Sequence, residues 1–228
     1  MSIIYRTQDQ VDMASAGGTE RDYWLSVDLG QSVDPTAIAV IERQRVPQVR
    51  AGIAIPKPIP YEVTYRVRHL ERMPLRTSYP EIVGYVGRML ATAPLSVRDT
   101  KLVIDQTGVG RPVFDMFKSA GLKPVGVTIT AGDGWSREGD AYRVSKLLLV
   151  SRLQAALHSG LLHIASTLPE ADVLKGELAD FRVQHSATGY AAFSAREGRH
   201  DDLVLSVSIG LWLASQGVQK ATMGRYVF

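Results

Sequence analysis

Two apolar runs of strand length each end in an aspartate, and this constrains the fold more than any other feature of the chain. The first is Leu25-Ser26-Val27-Asp28-Leu29-Gly30, and the second is Leu102-Val103-Ile104-Asp105-Gln106-Thr107-Gly108-Val109-Gly110. A third acidic group, Asp201-Asp202, follows His200 and opens a helix-length apolar segment beginning Leu203-Val204-Leu205. Acids at the ends of core elements are costly to desolvate unless something uses them. Two carboxylates about 4 Å apart repel by roughly 4 kcal/mol at an effective dielectric near 20. Four gathered at one end of a sheet are held together most simply by divalent cations.

Composition narrows the class. The 228 residues suit one large domain, with a possible linker or frayed arm over residues 1–21 and a single core over 22–228. Lys+Arg 26 against Asp+Glu 23 leaves a net charge of only +3, so polyanion binding needs a local basic patch. With no cysteine there is no disulfide, thiolate metal site or thiol nucleophile. The longest apolar stretches, such as Leu147-Leu148-Leu149-Val150, fall far short of the roughly 20 residues of a membrane span. The N-terminus lacks a signal-peptide core. A soluble intracellular protein, or a fragment of one, is expected.

Strand patterns cover Tyr23–Leu29, Thr36–Arg43, Gln48–Ile55 and Tyr61–Leu70, and the short breaks suggest an antiparallel meander. Ser78 with Glu81 three residues on is a capping-box pattern, predicting a helix to about Thr92. The rhythm then alternates. Lys101–Asp105 reads as a strand, Val109–Ala120 as a helix and Lys123–Ile129 as a strand. A Gly-rich loop (Ala131 to Asp140) precedes a long helix from about Arg143 to His158. A helix over Pro169–Arg182, a strand over Gly189–Ser194 and a helix from Asp201 to Gln216 complete the chain. A meander followed by parallel strands, with helices on both faces, is an α/β mixed sheet.

In such sheets ligand sites form at the carboxyl ends of strands, where Asp28 and Asp105 sit. Each could instead cap its own turn, and Asp201-Asp202 could serve only the amides and dipole of a helix N-terminus. Three separate core elements ending in acid favour the joint reading. Hard oxygen donors, without Cys and with few His, select two Mg²⁺ or Mn²⁺ ions over zinc. Two such ions would orient and ionise a water and stabilise a departing 3′ oxygen, the chemistry of a metal-dependent nuclease.

At these residues the chain resembles the nuclease domain of phage terminase large subunits. The likeness rests on Val27-Asp28-Leu29-Gly30 with Asp34-Pro35-Thr36-Ala37-Ile38-Ala39-Val40, on Val103-Ile104-Asp105-Gln106-Thr107-Gly108-Val109-Gly110 and on His200-Asp201-Asp202-Leu203. Tyr142-Arg143-Val144-Ser145-Lys146 and Leu157-His158-Ser159-Gly160-Leu161-Leu162 also fit, so the resemblance spans roughly residues 23–216. It implies a ribonuclease H-like fold and a two-metal endonuclease that cuts concatemeric double-stranded DNA during genome packaging. Asp28, Asp105 and one or both of Asp201 and Asp202 would then be the catalytic metal ligands. The implied partners are double-stranded DNA, the terminase ATPase domain, the small terminase subunit and the portal protein, in the host cytoplasm and away from any membrane. One departure stands out: no G-x-x-x-x-G-K-[ST] phosphate loop is present, so only the nuclease module is expected here.

Lys146, Arg111, Arg66, Arg68, Arg137 and His200 are candidate substrate contacts, each with a solvated or locally bonded alternative. Asp34 could be an accessory acid, although Asp before Pro is common in turns. The loop holding Trp135, Arg137 and Tyr142 could act as a substrate flap. Competing functions are a Holliday-junction resolvase or other nuclease of the same fold, an actin- or sugar-kinase-like ATP-binding protein and a non-catalytic DNA-binding module.

Overall fold

The computed structural model describes residues 18–30, 34–48, 60–108, 110–180, 182–185, 191–194 and 201–216. The expected strand Gln48–Ile55 and His200 lie largely or wholly outside them, as does most of the 1–21 segment. Three strands form the meander: β1 (Glu20–Asp28), β2 (Ala37–Pro47) and β3 (Tyr61–Arg72), each antiparallel to the one before. Helix α1 (Tyr79–Leu90) follows, opened by the capping box in which the Ser78 amide donates to Glu81 Oε2 at 2.9 Å. Next come β4 (Thr100–Asp105), α2 (Gly110–Ser119), β5 (Pro124–Thr130), and the hairpin β6 (Trp135–Glu138) and β7 (Ala141–Ser145). Helix α3 (Lys146–His158), β8 (Leu162–Ile164), α4 (Ala171–Asp180), β9 (Arg182–His185), β10 (Ala191–Ser194) and α5 (Asp202–Ser215) complete the order.

Eight strands make one mixed sheet in the order β6-β7-β5-β4-β1-β2-β3-β8, and β9 pairs with β10 in a separate ribbon. β4 lies parallel to β1, β5 parallel to β4, β7 parallel to β5 and β8 parallel to β3. Side chains alternate between the two faces of a strand. Tyr23, Leu25, Val27, Ile38, Val40, Leu102 and Ile104 therefore join α1 and α2 in one core. Trp24, Ala39, Ile41, Val103, Val127 and Val144 join α3, α4 and α5 in the other. Between Val40 and Ile41 the β2–β3 register shifts, leaving Arg68 as the extra residue of a bulge.

Helix α5 is apolar around nearly its whole circumference because it is covered on every side, from Leu203 to Ala214. Both its ends are satisfied by other elements. Glu177 Oε2 of α4 accepts from the Val204 amide at 2.9 Å, and Arg43 of β2 donates to the Ala214 carbonyl at 2.9 Å. Each charge also matches the helix dipole.

Two expectations need correction. The Gly-rich segment is a β-hairpin, turning at Gly139-Asp140, and the rings of Trp135 and Tyr142 meet Trp212 of α5 edge to face. Residues 143–145 are strand, so the long helix begins at Lys146 with Ser145 Oγ accepting from the Leu148 amide at 3.1 Å. Strands β8 and β9 had no counterpart in the sequence pattern.

The contact of α5 with the sheet yields a test. A Cβ placed on Gly210 would lie 2.6 Å from Ser26 Oγ and 3.0 Å from Ile41. Alanine favours an exposed helix over glycine by roughly 1 kcal/mol. Here Gly210→Ala is expected to destabilise by about 1–3 kcal/mol, the range of an overpacked core. Urea denaturation reads the sign, and a stabilised variant would disprove the close approach.

Candidate metal centre

Asp28 and Asp105 end neighbouring parallel strands whose register runs Ser26 with Val103 and Val27 with Ile104. The next pair in that ladder is Asp28 with Asp105. Alternation turns both carboxyls to the face covered by α3 and α5, the face of Ser26 and Val103. The N-termini of those two helices arrive at the same place. Asp28, Asp34, Asp105, Lys146, Asp201 and Asp202 line one cleft of about 640 Å³.

The two strand-end carboxyls lie close enough to act on each other, an interaction that raises Asp28 and lowers Asp105. Burial, followed by the charges of Asp105, Asp202 and Asp201, pushes Asp28 well above the usual carboxylate range. Burial also raises Asp105, which is 4% exposed, against the opposing pull of Thr107, Asp28 and Lys146. Its Oδ1 accepts from the Thr107 amide at 2.7 Å, an Asx-turn that fixes the carboxyl's direction. Thr107 is held in turn, its Oγ1 accepting from the Ile129 amide at 2.7 Å. On the other side Gly30 is required by a close approach: a Cβ there would sit 2.1 Å from the Asp34 carbonyl oxygen.

Asp201 is the N-cap residue of α5 and accepts from Lys146 Nζ, the first residue of α3. Asp202, 5% exposed, accepts from Arg72 Nε at 2.6 Å. Arg72 also donates to Glu177, whose carboxyl is pushed up to about 7, chiefly by burial. Arg72 and Glu177 carried no sequence expectation. The available signal was an acid on the buried stripe of α4, since Ala171, Leu174 and Glu177 recur at three-residue spacing.

The other expected contacts are placed elsewhere. Arg66 donates to Gln44 and Glu42, and Arg68 lies 3.7 Å from Glu42, on the sheet face opposite the acids. Glu42 pairs with Tyr23, five residues before Asp28 and so about 16 Å along the strand. Arg111 stands exposed in the first turn of α2 beside a different cavity, with Phe114 and Tyr142. Arg137 lies over the Tyr142 ring and donates to the Gly139 carbonyl at 2.9 Å. Only Lys146 of these basic candidates reaches the acids, and Asp34 does line their cleft.

Among the described residues, no three Asp, Glu or His side chains stand as a ready-made cation cage. The donor chemistry nonetheless fits a hard cation: Asp28 and Asp105 are buried oxygen donors from different strands whose mutual charge raises Asp28.

Comparison with solved structures identifies the architecture. The large terminase nuclease from thermophilic phage G20c, solved with bound magnesium, is 20% identical and has a TM-score of 0.55, covering 84% of this chain and 81% of that one. The chain has the fold of a phage large-terminase nuclease domain. The G20c nuclease with bound cobalt gives a TM-score of 0.57 at 18% identity, with 84% of this chain and 81% of that one covered. The Thermus phage P74-26 large terminase nuclease domain gives 0.53 at 17%, with 83% and 78% covered. The mixed sheet, meander first and parallel strands after, is the ribonuclease H-like arrangement expected from the sequence. No protein-family model matches, and no curated protein does.

Two predictions concern these charges. Because folding raises the proton affinity of Asp28, its favourable contribution is complete below the unfolded carboxylate pKa, near 4. It is lost as pH rises through the folded value. Asp28→Asn is therefore expected to melt above the parent at about pH 8 in chelating buffer, with the gain fading in acid. A variant melting below the parent at the alkaline end would remove the repulsion argument. Arg72→Leu leaves Asp202 and Glu177 without their shared cation and should destabilise by about 3–5 kcal/mol in urea titration. A change under about 1 kcal/mol would mean that the bridge is solvent-screened.

Proposed function

We propose that this chain is a Mg²⁺- or Mn²⁺-dependent endonuclease that cleaves double-stranded DNA, the nuclease module of a viral packaging terminase large subunit. The observation that carries the reading is the convergence of Asp28 and Asp105, at the ends of parallel strands, with the acidic N-terminus of α5 in one cleft. Terminase nuclease folds solved with magnesium and cobalt support it. Asp28, Asp105 and one or both of Asp201 and Asp202 would hold two ions. Those ions would supply the charge that ionises a water and stabilises the departing 3′ oxygen.

The chain's own groups prepare the site. Thr107 aims Asp105 through its amide, and Arg72 with Glu177 fixes Asp202 against α5. Lys146 neutralises Asp201 and is the nearest basic candidate for a scissile phosphate. A bound cation would compete with protonation of the raised Asp28 carboxyl, so cation affinity should rise with pH. In this reading the substrate is duplex DNA, the partners are the terminase ATPase domain, small subunit and portal, and the setting is the host cytoplasm. Among the described residues no helix is long and apolar enough to cross a membrane.

The experiment is plasmid cleavage with millimolar Mg²⁺ or Mn²⁺. Nicked and then linear product is expected, with little sequence preference and full suppression by chelator. Asp28→Ala, Asp105→Ala and Asp201→Ala should each slow cleavage by about 100-fold or more, with circular dichroism unchanged. Full activity in all three would end the assignment. Independently, millimolar Mn²⁺ should raise the melting temperature of the parent but not of Asp105→Ala.

A further inference from the structure

On the sheet face away from the acids, a cavity of about 460 Å³ opens between β1–β3 and α1. That volume lies within the range of small-molecule sites. Its floor is apolar, with Val40 and Leu95 buried and Met89 beside them. Tyr23 and Tyr85 also line it, together with the cationic side chains Arg68 and Arg88 and with His69. No acid lines the cavity. The two nearest acids are engaged: Glu71 accepts from Tyr85 and contacts His69, and Glu42 accepts from Tyr23 with Arg66 and Arg68 alongside. Arg88 lies 5.7 Å from the Tyr85 ring centroid and forms no ion pair among the described residues.

We propose that this cavity binds a nucleoside monophosphate, its base against the apolar floor and the lining tyrosines and its phosphate held by Arg68 and Arg88. A bare phosphate would satisfy the guanidinium groups but leave the floor and rings wet. A neutral aromatic would fill the floor but leave Arg88, which forms no ion pair among the described residues, facing no anion. Guanidinium forks suit phosphate, and tyrosine offers a rigid apolar surface with a polar edge. The site is independent of the acidic cleft and does not rest on the nuclease reading.

Calorimetry of the intact chain in EDTA, which removes metal-assisted binding at the acids, provides the test. The probes are AMP, dAMP, adenosine and inorganic phosphate. AMP and dAMP are expected to bind, and adenosine and phosphate should each bind at least about tenfold more weakly. Arg88→Ala and Arg68→Ala should each weaken AMP by about tenfold or more, and Arg88→Lys should recover part of that loss. Arg68 and Arg88 are both exposed, so these variants should keep the parent's melting temperature. Asp105→Asn should leave AMP affinity unchanged while removing cleavage, which separates this site from the acidic one. No heat with any probe at millimolar concentration, or unaltered AMP affinity in both arginine-to-alanine variants, would overturn the proposal. Equal affinity for phosphate alone would also overturn it, reducing the cavity to an anion patch.

Discussion

The parallel pairing of β1 with β4 is the constraint on which the candidate site depends. Antiparallel neighbours carry their carboxyl ends to opposite edges of a sheet, so β2 could never place an acid beside Asp28 by ending in one. A parallel neighbour can, provided the register is right. A slip of one residue would turn Asp105 onto the α1–α2 face and bury a charge among Leu25, Val27 and Ile104. Both strands are buried on both faces, so the cost of that slip is the displaced charge itself. Strand pairing sealed by helices on both faces thus holds two carboxyls together against their own repulsion.

The four principal acids do not carry their charge in the same way. Asp201 is paired with Lys146 and Asp202 shares Arg72 with Glu177, and both aspartates sit where the dipole of α5 favours an anion. Asp28 and Asp105 have no basic side chain of their own among the described residues, only the Thr107 donors on Asp105, with Lys146 acting from its place on Asp201. Repulsion is therefore concentrated at the strand ends, where two core strands over-determine the geometry. The helix end, which depends on long-range contacts from α4 and β3, is the better neutralised of the two.

Much of this was legible in the sequence because the informative signals were local. Short apolar runs marked β1, β2, β4 and β5, alternation marked β3, and Ser78 with Glu81 marked the start of α1. Glycines 121 and 160, both at positive φ, follow the helices that they stop. The failures share a cause as well. The β6–β7 hairpin is exposed and polar on β6, so it lacks alternation and owes its stability to Trp135 and Tyr142 meeting Trp212, some 70 residues further along the chain. At Arg143-Val144-Ser145 the strand runs straight into α3, and helix-compatible residues mask the boundary that Ser145 caps. β8 is only three residues long and takes its strand character from pairing with β3.

Arg72 shows most clearly why the rest of the site could not be read. Tyr65 and Val67 face the α5 side of β3, while Arg66 and Arg68 face away. Strict alternation would carry position 72 to the same side as Arg66 and Arg68, far from any acid. The bulge between Val40 and Ile41 adds one residue to β3 and reverses the phase, so that Leu70 packs in the α5 core and Arg72 pairs with Ala37 on that side. From there its guanidinium spans Asp202 and Glu177, partners 130 and 105 residues distant. The same extra residue, Arg68, is left on the opposite face at the mouth of the basic cavity. A single irregularity in one strand thereby assigns one arginine to each face of the sheet, and a pattern that counts only polar and apolar positions has no means of registering it.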